Sequence, residues 1–157
     1  IHNVHMKLWD ITIQELYQDA VMNTPRLEEY EIKSMTEVMR EIMTEENSDG
    51  SDQDACMEEF SDSMPLYVLS NKNRIEGAGC MLYPDLMKDF SDTIGSSFYI
   101  IPSSVHECLL LPPKEDVQGG EIRNMIKEIN DTQVSIEERL SYSLYYYDKD
   151  EGRIIKL

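Results

Sequence analysis

MPLYVLSNKNRIEGAGCMLYPDLMKDFSDTIGSSFYIIPSSVHECLLLPP, residues Met64 to Pro113, holds most of the strand-like apolar runs of the chain. Leu66 to Ser70 reads as a strand and Asn71-Lys72-Asn73-Arg74 as a polar turn. Ile75 to Leu82 reads as the returning strand, with Gly77 and Gly79 allowing a bulge or close backbone approach. Tyr83-Pro84-Asp85 opens a helix, because proline near a first turn lacks only an N–H that has no partner there. Leu86, Met87, Phe90 and Ile94 give that helix an apolar face, and Gly95 suits its C-terminal cap. Phe98 to Ile101 and Val105 to Leu111 read as two more strands around the turn Pro102-Ser103-Ser104.

Beyond this stretch, Gly119-Gly120 precedes a helix with Ile122, Met125, Ile126 and Ile129 at helical spacing. Ser135 with Glu138 has the form of a capping box for one short turn. Tyr142 to Tyr147 is rich in β-formers, and Asp148 to Gly152 makes a turn into a last strand, Arg153 to Leu157. Before the stretch, Thr12 with Glu15 caps a helix that Thr24-Pro25 should end. Trp9 should pack on that helix. Ser34 with Glu37 starts a second helix along Met35, Val38, Met39 and Ile42.

Thr44 to Asp62 has eight acids and no bases. Such a composition cannot bury enough apolar area to offset its ordering entropy, and it reads as a flexible acidic linker. It does not make an EF-hand, because counting from Asp49 puts Asp54 at position 6 and Phe60 at position 12.

Hairpins give antiparallel pairs, and helices between them must bury their stripes on a sheet face. The expected fold is therefore α+β. It has a mostly antiparallel sheet of hairpins, β-β-α-β-β-α-β-β, with two N-terminal helices packed on it. The expected organisation is a helical pair over 1–43, a linker over 44–63 and an α+β core over 64–157. Because the chain opens on Ile1 as if inside a domain, it is expected to be the C-terminal part of a longer protein.

The net charge is −17, from 31 acids and 14 bases, which argues against nucleic acid or an anionic membrane as partner. The three cysteines are widely spaced and form no CxxC, so a reducing, cytoplasmic setting is expected.

The strings NTPRL (Asn23–Leu27), MPLYVLSNKNRIEGAGCMLYP (Met64–Pro84), KDFSDTIGSSFYIIPSSVHECLLLP (Lys88–Pro112), NDTQV (Asn130–Val134) and LYYYDKD (Leu144–Asp150) carry a resemblance. The chain resembles the C-terminal half of an uncharacterised family of unknown function from gut Clostridia. It is more remotely similar to the YtpQ-like bacterial family, which also has a Trp-led helix followed by strand pairs. The resemblance implies no catalytic residues.

Among the residues themselves, Ser104, His106 and Glu107 form the densest reactive cluster and could serve nucleophile and base roles of a hydrolase. No GxSxG elbow accompanies them, and neighbours on a strand point to opposite faces. His2 and His5 lack further ligands for a metal, and no cofactor motif occurs, so neither metal nor cofactor is expected. Tyr145, Tyr146 and Tyr147 are the candidate binding residues, as aromatics favour recognition surfaces. The preferred reading is a non-enzymatic protein-interaction or regulatory module, with another protein or its own N-terminal half as partner. The alternative is a hydrolase-type enzyme with its site at Ser104, His106 and Glu107.

Overall fold

The structure is a computed structural model, which describes residues 1–45, 65–114, 119–132 and 134–157. The acidic stretch falls almost wholly outside the described residues, as do Cys56, Met57 and Phe60. The element order is α1 (Asn3–Trp9), α2 (Ile13–Leu27), β1 (Tyr30–Ser34), α3 (Met35–Glu45), β2 (Tyr67–Asn71), a 3-10 helix (Gly77–Leu82), α4 (Leu86–Ile94), β3 (Phe98–Pro102), β4 (Cys108–Leu111), α5 (Gly119–Thr132), β5 (Tyr145–Asp148) and β6 (Arg153–Lys156). The strands form one six-stranded sheet in the order β1-β2-β4-β3-β5-β6, and every pairing is antiparallel. The α+β class and the mostly antiparallel sheet are as the sequence indicates.

Alternation along the strands sends side chains to two cores. Leu69, Phe98, Ile100, Cys108, Leu110 and Tyr147 meet Ala78 and Cys80 of the 3-10 helix and Leu86, Met87 and Phe90 of α4. Ile101, Leu111 and Leu144 meet Ile122 and Ile126 of α5. The result is three layers, with the sheet in the middle. Phe98 is fully buried at the centre, its ring edge-on to Phe90 at 4.9 Å and stacked on Tyr147 at 5.3 Å. Each such ring pair adds ~0.5–1.5 kcal/mol beyond its buried area.

The helix starts follow the capping chemistry. The Thr12 hydroxyl accepts from the Glu15 N–H at 3.2 Å, and the Glu15 carboxylate accepts from the Thr12 N–H at 2.8 Å. Ser34 and Glu37 repeat the exchange at 3.2 and 2.8 Å. Gly95 takes the left-handed cap of α4 at φ 79°.

The element order departs from expectation from the first element onward, since α1 (Asn3–Trp9) is unassigned from sequence. Thr24-Pro25 does not end α2, which continues to Leu27, because Pro25 sits in the last turn and removes only one hydrogen bond there. Tyr30–Ser34, unassigned from sequence, is an edge strand paired from Tyr30↔Asn71 to Ser34↔Tyr67. Ile75 to Leu82 is not the returning strand. Arg74 and Glu76 have positive φ, and Gly77–Leu82 winds as a 3-10 helix with Ala78 and Cys80 inward. Val105 to Glu107 lie in a loop rather than β4, since the Ser104 hydroxyl accepts the His106 N–H at 3.1 Å and competes with a ladder. Of the N-terminal helices, α3 packs on β1 and β2, whereas α1 and α2 bury no residue. Trp9 belongs to α1 and is 50% exposed.

Gly77 is where the 3-10 helix touches the sheet. A Cβ there would lie 2.5 Å from the Asn71 backbone nitrogen and 2.7 Å from the His106 carbonyl oxygen. Gly77→Ala is therefore expected to cost ~1–3 kcal/mol, read as a lower urea midpoint at unchanged slope. Gly79→Ala, whose Cβ would meet nothing within 4 Å, should stay within about 0.5 kcal/mol of the native chain.

Candidate docking trough

The close approach at Gly77 starts a chain of backbone contacts that shapes a surface depression. The Ser70 hydroxyl donates to the His106 carbonyl at 2.7 Å. The Ala78 N–H donates to the Val105 carbonyl at 3.2 Å, and the Val105 N–H donates to the Glu138 carbonyl at 2.8 Å. The Asn130 side-chain amide, buried in α5, donates to the Ser141 carbonyl at 3.0 Å. Three segments are thereby fixed together, and with the β5–β6 hairpin they line one trough of about 700 Å³. The 3-10 helix supplies Ala78, Gly79, Met81 and Leu82. The loop before β4 gives Val105, the segment before β5 gives Leu140 and Ser141, and the β5–β6 hairpin gives Tyr145 and Ile154. A smaller groove of about 400 Å³ continues past Met81, Leu82 and Ile154 to Tyr147 and Arg153.

The trough is apolar and open. Leu82 is 73% exposed, Leu140 46% and Ile154 36%. These large aliphatic side chains together leave an apolar patch open to water. Its rim is acidic. Glu76 lines it, and Glu138 stands two residues before Leu140. Two cations of the flanking segments are already engaged. Arg153 pairs with Glu151, and Arg139 binds the Val134 carbonyl and the Tyr142 hydroxyl.

The candidate hydrolase residues sit at the edge of this trough. His106 Nδ1 accepts the Glu76 N–H at 3.1 Å, and its Nε2 lies 3.7 Å from Glu138 Oε1. The Ser104 hydroxyl is turned to the His106 backbone, and the Glu107 carboxylate accepts from Ser103 Oγ at 3.2 Å. Among the described residues, no side chain of Ser104, His106 or Glu107 hydrogen-bonds to a side chain of the other two. A histidine relay needs one ring nitrogen on an acid and the other on the nucleophile. Here one nitrogen already holds a backbone N–H.

The three tyrosines part company. Tyr145 lines the trough. Tyr146 faces the other side of the sheet, 5.2 Å from the Tyr99 ring. Tyr147 is buried against Phe98. Among the described residues, no group of three or more His, Cys, Asp or Glu could hold a metal ion. No helix among them is long and apolar enough to cross a membrane. Leu82, Leu140, Ile154 and Glu138 were not legible as site residues. An aliphatic residue on a wall has the same sequence signal as one in a core, and the His106–Glu138 approach joins distant segments.

Two free thiols lie beneath the 3-10 wall. Burial pushes the Cys80 thiol up, and it pushes the Cys108 thiol up to about 12. The thiolate is the nucleophile, so Cys108 should resist iodoacetamide at pH 8 in the folded chain and react readily in urea, as read by peptide mass mapping. Its folded value exceeds the ordinary 9.0, so its contribution to stability is complete below pH 9.0 and lost as pH rises toward about 12.

A family model described as a family of unknown function (DUF5688) matches residues 1–149. No curated protein and no solved structure matches the chain. With nearly its whole length covered by that model, the chain belongs to the DUF5688 family of unknown function.

Proposed function

We propose that this chain is a non-enzymatic protein-interaction module whose trough receives apolar side chains of a partner protein. The observation that carries the reading is the trio Leu82, Leu140 and Ile154, exposed on a wall that backbone hydrogen bonds hold in place. A preformed apolar surface loses little ordering entropy on binding. Free, buried thiols at Cys80 and Cys108 favour a reducing, cytoplasmic setting. The Clostridial and YtpQ-like resemblances fit a bacterial protein of this kind.

The hydrolase reading has one observation in its favour, the approach of His106 to Glu138 beside a cleft. Against it stand the occupied Nδ1 and the averted Ser104 hydroxyl. The weight of geometry lies with docking.

A neutral apolar dye, Nile red, tests the reading. It should bind saturably with a blue-shifted emission. Leu140→Glu and Ile154→Glu should each weaken it at least ~10-fold, because a charge entering an apolar site carries a desolvation cost of more than ~1.4 kcal/mol. Both side chains are exposed, so thermal midpoints should hold. Dye binding that ignores both substitutions would refute the docking reading. Ester hydrolysis that disappears in His106→Ala would favour the hydrolase instead.

A further inference from the structure

The helix α1 buries no residue. Val4 and Leu8, four apart and so on one helical face, are 64% and 79% exposed, and the neighbouring Trp9 is 50% exposed. The helix itself carries one formal charge, Lys7, with Asp10 as its C-cap, in a chain of net charge −17. It is a short apolar-faced helix whose one charged residue, Lys7, is a cation. The trough is its complement, with Leu82, Leu140 and Ile154 on the walls and Glu76 and Glu138 about the rim.

We propose that α1 of a second copy seats in this trough. Val4, Leu8 and Trp9 enter between the aliphatic walls, and Lys7 lies toward the rim carboxylates. The proposal rests on the docking reading and names its occupant. A volume of about 700 Å³ suits a few large side chains, being within the ~300–1,000 Å³ typical of ligand-sized clefts.

The geometry favours a second copy over the chain's own α1. The end of α2 is tied to the core, where the Tyr83 hydroxyl donates to the Glu28 carbonyl at 2.8 Å and Asn73 Nδ2 to the Glu28 carboxylate at 3.1 Å. Lys72 pairs with Glu29 beside them. From that anchor α2 runs for 15 residues, ~22 Å, before α1 is reached, and none of the residues Asn3–Trp9 lines the trough of its own chain.

Net charge opposes the association, since two chains of −17 repel. At ~0.15 M salt the screening length is about 8 Å, so distant repulsion is suppressed while contact pairs survive. The dimer is accordingly weak at physiological ionic strength and weaker still at low salt.

Light scattering across a concentration series, with the emission of Trp9 followed in parallel, tests the proposal. Trp9 is the single tryptophan, so its signal reports α1 alone. The mass should rise from 18.3 kDa toward twice that value as the emission shifts to the blue. Leu8→Glu and Leu140→Glu should each abolish both changes. Mixed together they should associate again, because one chain keeps an intact α1 and the other an intact trough. A mass that stays at 18.3 kDa at every concentration overturns the proposal. So does a monomer whose Trp9 emission is already blue-shifted, which would put α1 on its own chain. Dimers that persist in both variants also overturn it, by placing the contact elsewhere. If the chain stays monomeric while Nile red still occupies the trough, this inference fails and the docking reading stands.

Discussion

Gly77 carries the constraint on which the rest of the structure depends. Its missing Cβ lets the backbone of the 3-10 helix lie on Asn71 of β2 and on His106 before β4. A side chain would hold these segments apart. With them in contact, the Ser70 hydroxyl reaches the His106 carbonyl, and Ala78, Val105 and Glu138 follow in a line of hydrogen bonds. One absent methyl group thus fixes both the seat of the 3-10 helix on the main core and the wall of the trough. The same contact explains why Ile75 to Leu82 does not return as a strand. β2 already has β1 on one side and β4 on the other, so no ladder position is left for a hairpin partner.

The surface that results joins two properties of opposite kind. The chain as a whole is strongly acidic, with a net charge of −17. Within that field the trough is apolar and held rigid by backbone bonds. On the docking reading, binding there would gain from area removed from water, and the acidic rim would bias the choice of what enters. A catalytic role would ask for a different balance, with titratable groups converging on one reacting atom. His106 instead spends one nitrogen on the Glu76 backbone, and Ser104 spends its oxygen on a local turn. These are bonds that shape a loop.

Much of the fold was legible because it is locally encoded. The capping pairs Thr12–Glu15 and Ser34–Glu37 and the glycine cap at Gly95 act within a few residues, and all three form as read. The core strands Leu69, Phe98–Ile101 and Leu110 carry dense apolar runs that no competing element could use. The edge strand Tyr30–Ser34 was missed because Ile32 is its one aliphatic residue, and pairing with β2 supplies the stability that its own sequence lacks. The boundary of β4 was misread because a side chain, Ser104, diverts a backbone N–H that the apolar pattern alone would assign to a ladder.

By itself the sequence determined the α+β class, the antiparallel hairpins after Phe98, the two reliable helix starts and the acidic character. Each follows from spacing of three or four residues, from alternation, or from simple charge. Only the tertiary structure decided that Tyr145, Tyr146 and Tyr147 go to three different environments, that α1 and α2 leave their apolar faces in water, and that Leu82, Leu140 and Ile154 meet around one trough. The physical reason is that burial is a property of a surface assembled from distant segments. A leucine's local signal is the same whether another part of the chain covers it or leaves it open.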